Sequence, residues 1–305
     1  MTFEIQVGEA TVVQVTELER WPFQPRELFP AVRDAHVAGA AEAFGPRFVD
    51  EATGELVLAI HTYVIRLGGT ALVVDTGNGN HKERPNLPPH HRFDTDFLER
   101  FERAGVDVRD VDVVVNTHLH PDHCGWNTRL DGDRWLPTFP AATYVFGHDE
   151  LADLRALATA NPTEGVEADL ARAYEDSVRP VLEGGRWEVA GDGHVLAAHG
   201  DTSVVLRAAP GHTGGHSIVE IRSPGGGAVL CGDVIHHPVQ LLYPHLSQAG
   251  DADPALASRT RDALLGRCAG DALLLLPAHF PGDHPFTLTR TDAGLRLSSA
   301  KGERG

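Results

Sequence analysis

Lysine is almost missing from this chain: Lys82 and Lys301 are the two that 305 residues contain. Acids outnumber bases 43 to 26, leaving a formal charge of -17, and no basic run or stripe interrupts that excess. Such a surface repels phosphate backbones and anionic lipid, so nucleic acid and membrane surfaces are excluded as partners. Cysteine is scarce too. Cys124, Cys231 and Cys268 are too few and too widely spaced for a disulfide framework or a zinc ribbon, which points to a reducing compartment. No apolar stretch reaches about 18 residues, the length of a spanning helix. The opening MTFEIQVGEATVVQV lacks the basic start and unbroken apolar run of a signal peptide. These absences lead to the expectation of a soluble, cytoplasmic protein acting on a small molecule.

What is present is a β-rich chain, 42% hydrophobic and long enough for a sizeable core in one domain over residues 1–305. Apolar, β-branched runs predict strands at 11–18, 57–67, 71–77, 111–118, 142–147, 203–212, 216–223, 228–233 and 271–279. Helical patterns predict helices at 95–104, with Asp94 as cap, 149–159, 166–178 and 254–268. Two stretches fit neither pattern. Residues 21–56, opening WPFQPRELFP, and 78–93, NGNHKERPNLPPHHRF, are expected to be loops or insertions. Loops of this kind often carry substrate contacts.

The densest chemistry lies in THLHPDHCGW, residues 117–126, where His118, His120, Asp122 and His123 follow the apolar VDVVV. Alternation along a strand would send His118 and His120 the same way, so the pair can grip one ion. A turn at Pro121 would aim Asp122 and His123 at a neighbouring position. Imidazole and carboxylate suit zinc and other divalent metals, but each ion needs further ligands. Three later strand ends offer them: His212 in APGHTGGHS, Asp233 in AVLCGDVIHH and His279 in LLLLPAHFPG. Any one of these histidines alone would read as an ordinary surface or core residue. Four segments with the same strand-then-ligand form read as a metal site.

At these residues the sequence resembles the metallo-β-lactamase fold hydrolases, whose H-x-H-x-D-H signature stands here as His118, His120, Asp122 and His123. The later motifs follow in order, so the resemblance runs from about residue 58 to 285. It implies an α/β fold, an αββα sandwich with two divalent ions, zinc foremost, at one sheet edge. The first ion would take His118, His120 and His212, the second Asp122, His123 and His279, with Asp233 between them. Asp75, ending ALVVD, matches the family's aspartate that orients a ligand histidine.

Departures narrow the branch. His120 replaces the acidic residue of the iron redox members. Asp233 stands where classical β-lactamases carry cysteine or lack a bridging carboxylate. Length and layout resemble the branch of N-acyl-homoserine lactone lactonases and methyl parathion hydrolase, which also implies a possible homodimer through an insertion at about 21–56. The lactonases place a tyrosine three residues after the bridging aspartate; here His236 stands there. Attack by a metal-bridging hydroxide on a small ester or lactone is the expected reaction, with a phosphotriesterase and a non-catalytic metal-binding protein as alternatives. Asp122, Asp233 and His236 are the expected catalytic groups, and His236 would protonate a leaving group or bind substrate. Trp21, Phe23, Phe29, Trp126 and Leu241 are candidates for an apolar pocket, His237 for a lesser site role, and Cys124 and Cys231 for packing.

Overall fold

Strict alternation along the strands decides the architecture. In Leu56–Leu67, Tyr63, Ile65 and Leu67 join one buried cluster while Val64 joins another on the opposite face. In Thr70–Val74, Leu72 and Val74 face the first cluster and Val73 the second. A strand apolar on both sides needs a covering layer on each. The computed structural model, which describes residues 3–282, 285–291 and 294–299, supplies both.

The first sheet contains β1 (Phe3–Val7), β2 (Ala10–Phe23), β3 (Leu56–Leu67), β4 (Thr70–Val74) and β5 (Val113–Val115). A hairpin of β6 (Thr128–Asp131) and β7 (Arg134–Pro137) stands apart, after which β8 (Thr143–Gly147) and β9 (Arg186–Ala190) complete the sheet. The second sheet runs in chain order through β10 (Val195–His199), β11 (Thr202–Ala208), β12 (Ser217–Ser223), β13 (Gly226–Leu230), β14 (Leu274–Leu276), β15 (Phe286–Thr291) and β16 (Gly294–Ser299). Tyr63, Ile65, Val74 and Val115 meet Val204, Leu206, Val219 and Leu230 between the sheets.

The helices, in chain order, are α1 (Pro25–Leu28), α2 (Asp34–Phe44), α3 (Phe97–Arg103), α4 (Pro121–Cys124), α5 (His148–Ala160), α6 (Gly165–Ala173), α7 (Arg179–Gly184), α8 (Val239–Leu242) and α9 (Pro254–Gly270). Phe97 and Phe101 of α3 with Leu151 and Leu154 of α5 cover the outer face of the first sheet. Leu264, Leu265 and Cys268 of α9 cover that of the second. The αββα sandwich expected from the sequence is the fold observed.

Several elements differ from their sequence signals. Residues 21–23 continue β2 in register with Leu56–Leu58, and α2 occupies the middle of the supposed loop at 21–56. β2 bulges between Thr16 and Leu18 and again before Trp21, which hides its length from a period-two pattern. The helix expected over 166–178 is α6, then a π-turn at Tyr174–Val178, then α7. Asp253 caps α9 as its position suggests, accepting from the Leu256 N–H at 2.9 Å. No helix among the described residues is long and apolar enough to cross a membrane.

Candidate metal centre

The metal-motif segment does not reach its position by strand alternation. β5 ends at Val115, so His118 and His120 lie in the loop beyond it. Buried carboxylates shape that loop. Asp75, immediately after β4, has a left-handed backbone with φ of 55°, a strained conformation of the kind found where function fixes geometry. Its Oδ1 accepts from the Thr117 N–H at 2.7 Å and its Oδ2 from His123 Nδ1–H at 2.9 Å. Glu150, in the first turn of α5, accepts from the Leu119 N–H at 2.9 Å and from the Thr213 hydroxyl at 2.6 Å. One carboxylate thus joins the loop between His118 and His120 to the loop that carries His212.

The segment 76–79 zips onto 123–126. Thr76 N–H donates to His123 O, Gly125 N–H to Gly77 O and Trp126 N–H to Thr76 O, all within 2.9 Å. A Cβ on Gly125 would fall 1.8 Å from Asn78 O, so glycine is required for this approach. The second sheet arrives by similar stitches. After β14, Ala59 N–H donates to His279 O and His61 N–H to Ala278 O, tying that strand end to β3.

The result is two adjacent groups of coordinating atoms. His118, His120, His212 and Asp233 form one, and Asp122, His123 and His279 the other, with the atoms of each group within 4.8 Å of one another. Asp233 spans both. Its Oδ1 lies 3.0 Å from His123 Nε2 and 2.9 Å from His279 Nε2, while its Oδ2 lies 3.2 Å from His212 Nε2 and 3.6 Å from His118 Nε2. The Asp122 Oδ2 is 3.6 Å from His123 Nε2 and 3.5 Å from His279 Nε2.

In three of the five rings the far nitrogen fixes the tautomer. His123 Nδ1–H donates to Asp75, His212 Nδ1–H to Asp251 at 2.9 Å, and His279 Nδ1–H to Ala59 O at 2.9 Å. None of those acceptors can donate, so each neutral ring turns a bare Nε2 inward, the form that binds a metal. His118 Nε2, His123 Nε2 and Asp233 Oδ1 are buried with no hydrogen-bond partner. Buried polar atoms left in this way are costly, and a divalent cation satisfies all three. The donor set therefore fits the expected ions. Electrostatics agree. Burial holds His118 well below its ordinary value and, with the His212 ring, brings His120 down to about 3, keeping both neutral. Burial would depress His123 as well, but Asp233, Asp122 and Asp75 outweigh it, which marks a place that favours positive charge.

His236 lies beside this cluster, its Nε2 3.0 Å from Asp233 Oδ2 and its Nδ1 without a hydrogen-bond partner. Above lies a cavity of about 210 Å³. Trp21, Phe23, Leu28, Leu58, Leu87 and Leu170 form its apolar walls, and His90, His236 and Gln248 are polar groups on it outside the two clusters. Among the described residues, no lysine or arginine lines it. Trp21 and Phe23 are where the sequence suggested. Phe29 and Leu241 are core residues instead, and Trp126 stacks on Phe97 and donates to Glu17. His237 is also structural, its Nε2 2.8 Å from Phe48 O. Cys124 and Cys231 are packed, and burial pushes the Cys124 thiol up to about 12.

Sequence reasoning passed over Glu150, Asp251, His216 and His90. His216 accepts the Asp233 N–H at 3.0 Å and was visible in GHTGGHS. Asp251 sits in a polar turn with no pattern to single it out.

A family profile described as the metallo-beta-lactamase superfamily matches residues 56–279. Among solved structures, the hydrolase AbOPH of the beta lactamase superfamily is 20% identical with a TM-score of 0.77, covering 99% of this chain and 98% of its own. AidC, a dizinc quorum-quenching lactonase in complex with its product, is 17% identical with a TM-score of 0.78 over 99% and 98%. A probable metal-dependent hydrolase from Staphylococcus aureus is 17% identical with a TM-score of 0.74 over 99% and 100%. At these identities the structures share the fold.

Proposed function

The chain belongs to the metallo-beta-lactamase superfamily, and from that premise we propose that it is a dinuclear metal-dependent hydrolase of a small, uncharged ester or lactone. One observation carries the reading: the two oxygens of Asp233 face different histidine groups, as a carboxylate shared by two cations would. His118, His120 and His212 would hold one ion, Asp122, His123 and His279 the other. Bound there, two divalent cations, most simply zinc, supply a water-derived nucleophile at neutral pH and a Lewis acid for the substrate oxygen.

The protein's own groups do the rest. Asp75, Asp251 and the Ala59 carbonyl keep the ligand rings oriented and basic. The apolar walls exclude water from the acyl or aryl arm of the substrate. His236, on the cavity wall beside Asp233, is placed to give a proton to a departing oxygen or to hold the substrate by a hydrogen bond. The lack of lysine or arginine among the described residues lining the cavity supports an uncharged substrate. That feature admits an uncharged phosphotriester equally well.

Metal analysis together with a chromogenic panel of aryl ester, lactone, phosphotriester and cephalosporin tests the proposal. Two ions per chain with ester or lactone turnover supports it, and preferred phosphotriester turnover selects the alternative reaction. Two ions with no turnover at all selects a metal-binding protein. In Asp233→Ala the ion content should drop; retention of both ions rejects the shared-carboxylate assignment.

A further inference from the structure

The 78–93 segment holds a histidine that the proposed chemistry does not use. His90, in the short 3-10 turn Pro88–His90, lines the cavity alongside the metal ligands, packs edge-on against Trp21 at 5.0 Å between centroids, and has Nδ1 3.9 Å from Asp122 Oδ1. Its Nδ1 is 2.9 Å from Asn78 Oδ1. With the Asn78 side-chain carbonyl turned to it, His90 Nδ1 carries the proton and its Nε2 is a bare acceptor; this tautomer goes with the amide orientation that leaves Asn78 Nδ2 buried without a partner. No protein group among the described residues engages that Nε2. Asn78 is itself fixed, because its N–H donates to buried Glu17 at 2.7 Å and its backbone lies tight against Gly125. The ring is therefore held by a residue with a fixed backbone, with its Nε2 among the apolar walls of Trp21, Phe23 and Leu87. Few, fixed polar groups on an apolar wall are what orients a ligand.

We propose that His90 is a substrate-contacting specificity residue whose Nε2 accepts a hydrogen bond from an N–H or O–H beside the scissile carbonyl. This rests on the ester or lactone reading above and narrows it to substrates with such a donor, for example an α-acylamino lactone. A phosphotriester without donors would leave His90 unpaired.

The test compares α-acetamido-γ-butyrolactone with its N-methyl amide analogue on metal-reconstituted protein. Wild type should favour the N–H compound about ten-fold in kcat/KM, the worth of one hydrogen bond. His90→Asn puts an amide at the Nδ1 position, keeping a donor on Asn78 Oδ1 while removing the acceptor, and should bring the ratio close to one. His90→Gln puts its amide at the Nε2 position and should keep most of the preference. A wild-type ratio near one, or an unchanged ratio in His90→Asn, overturns the assignment; the latter would show that the methyl group's bulk was responsible. Metal content should be the same in all three proteins. Binding of 2-acetamidocyclopentanone and its N-methyl analogue, followed by tryptophan fluorescence, separates this proposal from the one beneath it. Preferential binding of the N–H ketone without lactone turnover keeps the His90 contact and rejects the hydrolase reading. Equal binding or none, with lactones hydrolysed alike, rejects only the His90 contact.

Discussion

His236 and Glu17 show how differently two buried titratable residues are tied to the site. His236 anchors none of the ligand rings: its Nε2 faces the Asp233 carboxylate at 3.0 Å and its Nδ1 has no hydrogen-bond partner. His236→Ala should therefore retain both ions, measured by metal analysis, while kcat on the best substrate falls about 100-fold, in the range of general acid–base groups. An unchanged kcat rejects its role. Glu17 works through structure instead. It is buried beneath the 76–79 segment, and burial, opposed by hydrogen bonds from Asn78 and Trp126, raises its carboxyl from 4.5 to about 7. Below pH 4.5 both folded and unfolded chains hold the proton. Between pH 4.5 and about 7 the unfolded carboxyl ionises first, so this residue makes the fold progressively less stable as pH rises, and the loss is complete above 7. Relative to Glu17→Gln, which has no proton to lose, wild type should lose about 2 to 3 kcal/mol of unfolding free energy between pH 5 and pH 8. A flat difference in urea titrations at the two pH values would refute the shift.

At the scale of elements, the cavity wall formed by Leu87, His90 and Leu170 depends on the π-turn between α6 and α7. Lys82 Nζ donates to Asp176 O at 2.9 Å and the Thr128 hydroxyl donates to the same carbonyl, drawing it out of the helical ladder. Arg84, fully buried, grips the Asp176 carboxylate with two bonds of 2.7 and 2.8 Å. The loop bearing Leu87 and His90 is thereby fastened to the helices bearing Leu170. Arg84→Ala strands a largely buried carboxylate and should cost about 3–5 kcal/mol in chemical denaturation. Arg92→Ala breaks the exposed pair with Glu83 and should cost under about 1 kcal/mol. Equal costs would mean that Asp176 is hydrated. This network also marks the limit of what the sequence discloses. The ligands were legible because each follows an apolar strand with a side chain rarely wasted there. α2 and the π-turn were not, since Gly39 and Pro180 interrupt the helical pattern and the carbonyl partners Lys82 and Thr128 come from distant segments. Asp251 was likewise invisible: its importance lies in a contact with His212, 39 positions away.

For the whole molecule, the ligands come from both sheets. Asp122 and three histidines stand beyond β5 in the first, while His212, Asp233 and His279 follow β11, β13 and β14 in the second. Without the two proposed ions, Asp122 and Asp233 would face each other's field across buried rings, so chelation should weaken the entire fold and not one loop. With free zinc a thousand-fold above its dissociation constant, each site should add about 4 kcal/mol. Urea unfolding with and without chelator measures this, and identical midpoints would exclude tight binding. The expectation of an αββα sandwich holds at this scale because binary patterning fixes which faces are covered.

The chain crosses from one sheet to the other once, through the exposed turn at Gly191–Gly193 between β9 and β10. Each half carries only part of the chelating set. Severed at that turn, the two fragments would be complementary pieces of a sensor, and their reassembly in a test tube would be governed by the concentration of free zinc.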